Sequence, residues 1–313
     1  MILRPLVKGI ISFIPGIRLV LPKPKTGGTD SPLYCYEQWM KHLTMLWASG
    51  MRHIPNSLVE LGPGDSLGVG LAAVLSGINN YVALDVVEYS DNRGNMRMLD
   101  ELIQLFRDRA GRPAKGWPDY DQYLDARLFP SHILTDQILS QALSETRITM
   151  IREMLANPEN NAAPLKIKYL APWSDNGVIP QGTADIIISH SVLEHVEDLE
   201  SIHRAFGRWL KAGGFFTHQI DLTSHEASTE WNRHWAYSQG MWKIILGKRS
   251  YFINRLPCSA HLKLIKQNGF KIVCCHKRYR QDGITRSQLA ADWQHLSDDD
   301  LTCSGLFIQA QKN

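Results

Sequence analysis

The chain lacks any run of about 18 uninterrupted apolar residues, so no membrane-crossing helix is expected. It has little excess of one charge. A net charge of +3 with no aromatic-interleaved basic stripe leaves nucleic acid out as an expected partner. Cysteine is scarce: five residues, Cys35, Cys258, Cys274, Cys275 and Cys303, odd in number and scattered. Cys274 and Cys275 are adjacent in a strand-like run and point to opposite faces, which excludes CxxC chemistry and a metal knuckle. Reduced thiols of a cytoplasmic protein are the expectation. No internal repeat is visible. What remains, 313 residues with 44% apolar and 21% charged, is the composition of a soluble globular protein of one large domain or two small ones.

The most informative stretch is Val59-Glu60-Leu61-Gly62-Pro63-Gly64-Asp65-Ser66. An apolar strand runs into an acid, a glycine turn and a helix of small residues near 67–76. Glycine there lets a ligand approach the backbone, where a Cβ would block it or forbid the required φ. A dinucleotide fold wants Gly-x-Gly-x-x-Gly with pyrophosphate on the helix amino end; the third glycine position here is Leu67. Glu60 would also repel an anion, and it suits a ligand carrying an amine and a sulfonium. The next strand, Tyr81 to Asp85, ends in an acid placed to accept both hydroxyls of a ribose.

Around this unit the periodicity predicts strands at 57–62, 80–85, 166–171, 184–190, 214–221, 270–278 and 302–311. Helices are predicted near 67–76, 196–211 and 258–268, with one from Tyr34 to about Ser49 before the first strand. The alternation argues a doubly wound α/β sheet, mostly parallel and covered on both faces. Residues 86–165 and 222–257 exceed what the connections need. The first holds helical patterns over Met96 to Asp108 and Ile133 to Leu155. The second carries Trp231, Trp235, Tyr237, Trp242, Tyr251 and Phe252, and lies where connections surround a ligand crevice, so it is expected to cover a substrate.

At the N-terminus Leu3, Leu6, Val7, Ile10, Ile11 and Ile14 recur at helical spacing, closed by Pro15, with a Pro/Gly/Lys-rich loop over Lys23 to Asp30. No small-residue cleavage site follows, which argues against a signal peptide. Two readings stay open: a helix docked on its own domain, or an interfacial helix with Arg4, Lys8 and Arg18 attracted to an anionic membrane face.

Four elements, in order, resemble the class I S-adenosylmethionine-dependent methyltransferases, most closely the type 11-like, bacterial small-molecule branch. They are Glu60 to Ser66, Asp85, Asp185-Ile186-Ile187-Ile188-Ser189-His190-Ser191-Val192-Leu193-Glu194-His195-Val196, and Arg208-Trp209-Leu210-Lys211-Ala212-Gly213-Gly214. The resemblance covers roughly Ser57 to Asn313. It implies a seven-stranded sheet with an antiparallel last strand, a segment 1–52 of amphipathic helix, linker and lid helix, and a catalytic domain over 53–313. It implies S-adenosylmethionine as cofactor, held by Glu60, Gly62, Pro63, Gly64, Asp85, Val86, Pro172, Trp173, Ser189 and His190. The third strand ends Leu170-Ala171-Pro172-Trp173, where many members carry an acid, so the adenine contacts differ from the family pattern.

Methyl transfer asks an enzyme chiefly to align donor and acceptor, and an oxygen acceptor needs a base within reach. The expected catalytic groups are His225, His190 and Asp221, with Tyr36, His195, Trp231 and Arg255 as tentative substrate contacts. Glu194-His195 reads as a helix start and His218 as a core histidine. A metal held by His190, His195, Asp221 and His225 is weighed and not expected, because no tight ligand spacing is present. The acceptor expected is a small molecule, glycan or lipid-linked group, methylated on oxygen. A catalytically silent binding protein of the same fold and an NAD-dependent oxidoreductase are the alternatives.

Overall fold

The computed structural model describes residues 3–14, 28–112, 115–158, 164–174, 177–249 and 251–313. The expectations on Met1, Ile2, Pro15, Arg18 and most of the Lys23 to Asp30 loop lie outside these residues. The strands are β1 (Ser57–Leu61), β2 (Asn80–Leu84), β3 (Lys166–Leu170), β4 (Ala184–His190), β5 (Leu210–Asp221), β6 (Phe270–Tyr279) and β7 (Cys303–Lys312). They form one seven-stranded sheet in the order β3-β2-β1-β4-β5-β7-β6. β1 pairs in parallel with both β2 and β4, while β7 runs antiparallel between β5 and β6. Apolar residues alternate across the central strands, so each face buries its own core: Ile186 and Ile188 of β4 on one side, Ile187 on the other.

The helices are α1 (Leu3–Ile11), α2 (Pro32–Ala48), α3 (Gly68–Val74), α4 (Asn92–Arg107), α5 (Asp136–Ala142), α6 (Glu145–Ala156), α7 (Leu199–Trp209), α8 (Gln239–Leu246), α9 (Cys258–Gln267) and α10 (Asp298–Thr302). α2 opens on Ser31, whose side chain caps the Tyr34 amide, with proline in the first turn. It sinks Trp39, Leu43 and Leu46 into the core over β1 and α3. On the opposite face α7 lays Phe206 and Trp209 against Phe216 and Ile187.

Three expectations are corrected. The helical pattern over Ile133 to Leu155 is two helices, because Ser144 caps a new start and accepts from the Arg147 amide. β5 begins at Leu210 rather than near 214: the Arg208 to Gly214 element enters the strand at once, its ladder to β4 shifting register between Ala184 and Ile186. The aromatic insertion is not a bare cover over the crevice. Trp242 stacks on Tyr237 and Phe252, and Trp235 packs near Trp293, making small cores of their own.

α1 docks one side of itself on α8. Gly9 is the contact: a Cβ there would lie 2.0 Å from the Ile244 carbonyl. Val7, Ile10, Ile11, Phe13 and Ile14 remain exposed, as do Met241 and Ile244 on the neighbouring helix. No helix of the described residues is long and apolar enough to cross a membrane.

Candidate active site

The turn after β1 takes Gly62 to φ 62° and Gly64 to φ 75°, the left-handed region that a Cβ disfavours. Asp85, at the carboxyl end of β2, closes against it: one carboxylate oxygen accepts from the Val86 amide at 2.7 Å and the other from the Gly64 amide at 3.4 Å. Burial pushes its carboxyl up, and those amides pull it back down. Glu60 is held from beneath, accepting the Tyr81 hydroxyl at 2.5 Å; burial raises it to about 7, the Tyr81 bond opposing and Asp85 adding to the rise. Glu60 therefore sets the acidity of the turn from below rather than offering an open face to a ligand.

The amides that a pyrophosphate would need are already used. Asp65 N–H donates to the Thr29 hydroxyl, Leu67 N–H to the Asn95 amide oxygen, and Gly68 N–H to Ser66 Oγ. Two carboxylates beside a helix start whose Asp65, Leu67 and Gly68 amides are occupied fit a cationic ligand and disfavour a diphosphate. Val86 and Pro172 stand exposed at the rim, and Trp173 is tied there by its amide to the Asp85 carbonyl at 3.2 Å. These residues fit an adenosyl group bearing a sulfonium.

The expected residues past β4 and β5 separate into two groups. His190, the last residue of β4, is half-buried with its Nε2 3.3 Å from the Gln219 amide nitrogen and its ring edge-on to Tyr34. Burial, helped by Lys41, drives its pKa well down. It lines a cavity of about 220 Å³ with Tyr34, Lys41, Tyr120 and Gln219. Lys41 donates to Gln38 at 2.5 Å and Gln219 at 2.6 Å, and burial lowers it to about 7.

The second group is Glu194, His195, Asp221 and His225. Leu193–His195 is a 3-10 turn, not the start of α7, which begins at Leu199 with Asp198 as its cap. Asn254 clamps this turn through the Leu193, Glu194 and Val196 carbonyls. The turn also touches the glycine loop, since a Cβ on Gly62 would sit 2.5 Å from Val192. The rings of His195 and His225 stand 5.1 Å apart, and His225 Nε2 is 3.7 Å from an Asp221 oxygen. Burial, then His225, takes His195 down to about 4; burial, then Asp221, takes Glu194 well up. His225 sits at φ 46°, a conformation uncommon outside glycine.

Four expected contacts are corrected. The Ser189 hydroxyl is spent on His218 at 2.8 Å on the far face, which also makes His218 the core histidine it was read as. Tyr36 is core: its hydroxyl donates to the Ala110 carbonyl at 2.9 Å and its ring packs on Phe106. Trp231 is buried, with Arg280 over its ring. Arg255 donates to the His234 and Tyr237 carbonyls and to Gln239, between Trp242 and Trp293, so it ties the insertion together. Sequence reasoning missed Lys41 and Glu194. A lysine in the middle of an otherwise core-facing helix was the signal for the first; Glu194 had been read as a cap.

The family model described as "Methyltransferase domain" matches residues 37–274. No curated protein matches the chain. Solved structures similar to it include an S-adenosylmethionine-dependent methyltransferase from Mesorhizobium loti (15% identity, 86% of this chain and 96% of that one, TM-score 0.42). Others are an S-adenosylmethionine-dependent methyltransferase from Methanosarcina mazei (11%, 85% and 96%, 0.43) and phosphoethanolamine N-methyltransferase 2 from Haemonchus contortus (13%, 91% and 57%, 0.41).

Proposed function

The chain belongs to the methyltransferase-domain family, enzymes whose donor here is S-adenosylmethionine, and from that premise we propose that it methylates an oxygen of a small-molecule, glycan or lipid-linked acceptor. Bound S-adenosylmethionine supplies an electrophilic methyl group. The chain's own part is to hold the ribose at Asp85 and the adjoining backbone at Gly62-Pro63-Gly64, with Val86, Pro172 and Trp173 against the adenine.

The acceptor occupies the cavity beside His190 and turns its reacting oxygen toward Asp221 and His225. Gln219 and Asp221 supply the support: they are two apart on β5, so they share a face, and the first lines the cavity while the second faces His225. The acceptor's proton is taken at the Glu194–His195–Asp221–His225 group. The observation that carries this reading is two carboxylates beside the occupied Asp65, Leu67 and Gly68 amides, which favours a cationic nucleoside and disfavours NAD. Methyl transfer from labelled S-adenosylmethionine to a panel of phenols, glycans and lipids tests it. Transfer to none, with S-adenosylhomocysteine still bound, supports the silent binding protein instead.

A second reading concerns location. The exposed apolar residues of α1 and α8 are flanked by Lys8, Lys243 and Lys248, a composition suited to an anionic lipid surface. We propose peripheral membrane contact there, which brings a lipid-linked acceptor within reach. Vesicle co-sedimentation with anionic and neutral lipids tests it.

A further inference from the structure

Buried carboxylates with few partners are costly, and one lies at the mouth of this site. Neither oxygen of Glu194 meets a side-chain donor, and only the Glu194 and Asp221 amides approach it, although the residue is 3% exposed. The Asp221 charge adds repulsion to it. Nδ1 of His195 is buried and unpartnered. Among the described residues, ligand atoms of Glu194, His195 and His225 lie within 4.8 Å of one another. Two imidazoles and one carboxylate at that spacing converge as a donor set of the kind that holds a divalent cation.

We propose that Glu194, His195 and His225 bind one divalent first-row cation, with Asp221 positioning His225 from 3.7 Å. Two nitrogens and a carboxylate suit such an ion and leave coordination positions open. The second layer is in place: Asn254 holds the 193–196 turn that carries two of the ligands, and the Tyr251 backbone hydrogen-bonds the His195 ring, as metal-bound imidazoles usually require. Burial is graded as an entry path needs, with Glu194 innermost and His225 at the surface. The set weighed from the sequence had His190 in it. The structure turns His190 toward Gln219 and puts Glu194 in its place.

The existence of the site stands on this geometry; its role rests on the methyl-transfer reading. A cation here would take the acceptor oxygen in an open position and lower the pKa of its hydroxyl, the proton passing to the Asp221 carboxylate. His225 then serves as a ligand, and the deprotonation assigned above to the group as a whole is shared between ion and Asp221. The acceptor class narrows to molecules presenting a hydroxyl, or two adjacent ones, able to ligate a metal.

Titration calorimetry of the full chain with MnCl₂ and with ZnCl₂, no cofactor added, tests the site; Mn²⁺ guards against thiol binding, since it favours oxygen and nitrogen ligands. One equivalent per chain is expected. Glu194→Gln and His225→Ala should each weaken it at least about tenfold, while His53→Ala, exposed and distant in sequence, leaves it unchanged. His225 is at the surface, so its variant folds even if Glu194→Gln does not; thermal melts check both. No binding of either ion, or binding that survives both substitutions, overturns the inference and leaves methyl transfer standing. Failure of S-adenosylhomocysteine to bind would instead sink the methyl-transfer reading, without altering the metal titration.

Discussion

Two halves of one sheet edge are built in different ways. The half at β1 and β2 is backbone: a turn of two left-handed glycines and a carboxylate that accepts the Gly64 and Val86 amides. The half at β4 and β5 is side chains: a carboxylate, two histidines and an aspartate drawn from separate turns. The first lies within one strand–turn–helix–strand unit, 57–85, and fits a ligand of fixed shape. The second is assembled by the fold and is free to vary with the acceptor. If the halves divide the work in this way, substitutions should separate cofactor affinity from turnover.

The largest separation is expected at His225. His225→Ala should lower turnover by about 10²–10⁴-fold, the usual range when assistance to proton transfer from the acceptor is lost, while S-adenosylhomocysteine affinity stays within a few-fold. Unchanged turnover from pH 6 to 9 would move the chemistry elsewhere. On the other half, Asp85→Ala should cost about 1.5–3 kcal/mol of cofactor binding, roughly 10–100-fold, through a lost charge-assisted partner. Gly64→Val acts in the same direction, because a β-branched residue at positive φ is strained by about 1–3 kcal/mol. Calorimetric affinities equal to wild type in either folded variant would mean the ribose site is misplaced.

Arg255 sharpens the boundary from outside both halves. With its hydrogen bonds to two carbonyls and its place between Trp242 and Trp293, Arg255→Ala should lower thermal stability by roughly 2–4 kcal/mol. A variant with native stability and a raised KM would restore it as a substrate contact.

Lys41 gives a smaller, pH-dependent effect. Burial lowers its pKa from 10.5 to about 7 in the folded chain, so the unfolded chain binds more protons between those values. Its contribution is therefore destabilising below about pH 7 and fades as pH rises toward 10.5. The difference in melting temperature between Lys41→Met and wild type should shift in wild type's favour over that interval. A pH-independent difference would mean that Lys41 titrates normally.

The smallest effect is at α1. Truncation to a chain starting at Lys25 should reduce sedimentation with anionic vesicles and leave the weak binding to neutral ones little changed, each nearby lysine or arginine contributing about 1 kcal/mol. Equal binding to both vesicle types removes the electrostatic membrane reading.

The same contrast explains what the sequence disclosed. Strand positions, their order of types and the glycine turn were legible because periodicity and φ demands are local. The acceptor half was not. Which way Ser189 and His190 point depends on the sheet's two faces, and the pairing of Ser189 with His218 needs β5 beside β4. Glu194 looked like a helix cap because nothing local marks the 3-10 turn that precedes α7. Arg255 and the tryptophans were read as facing a substrate, since the small cores they build join segments far apart in the chain.

The most direct test of the division is a single titration series: S-adenosylhomocysteine into wild type, Asp85→Ala and His225→Ala, followed by calorimetry. Tight binding to wild type and to His225→Ala, with a roughly 10–100-fold loss in Asp85→Ala, is the result predicted. Equal affinity in all three chains, or a loss confined to His225→Ala, would contradict it.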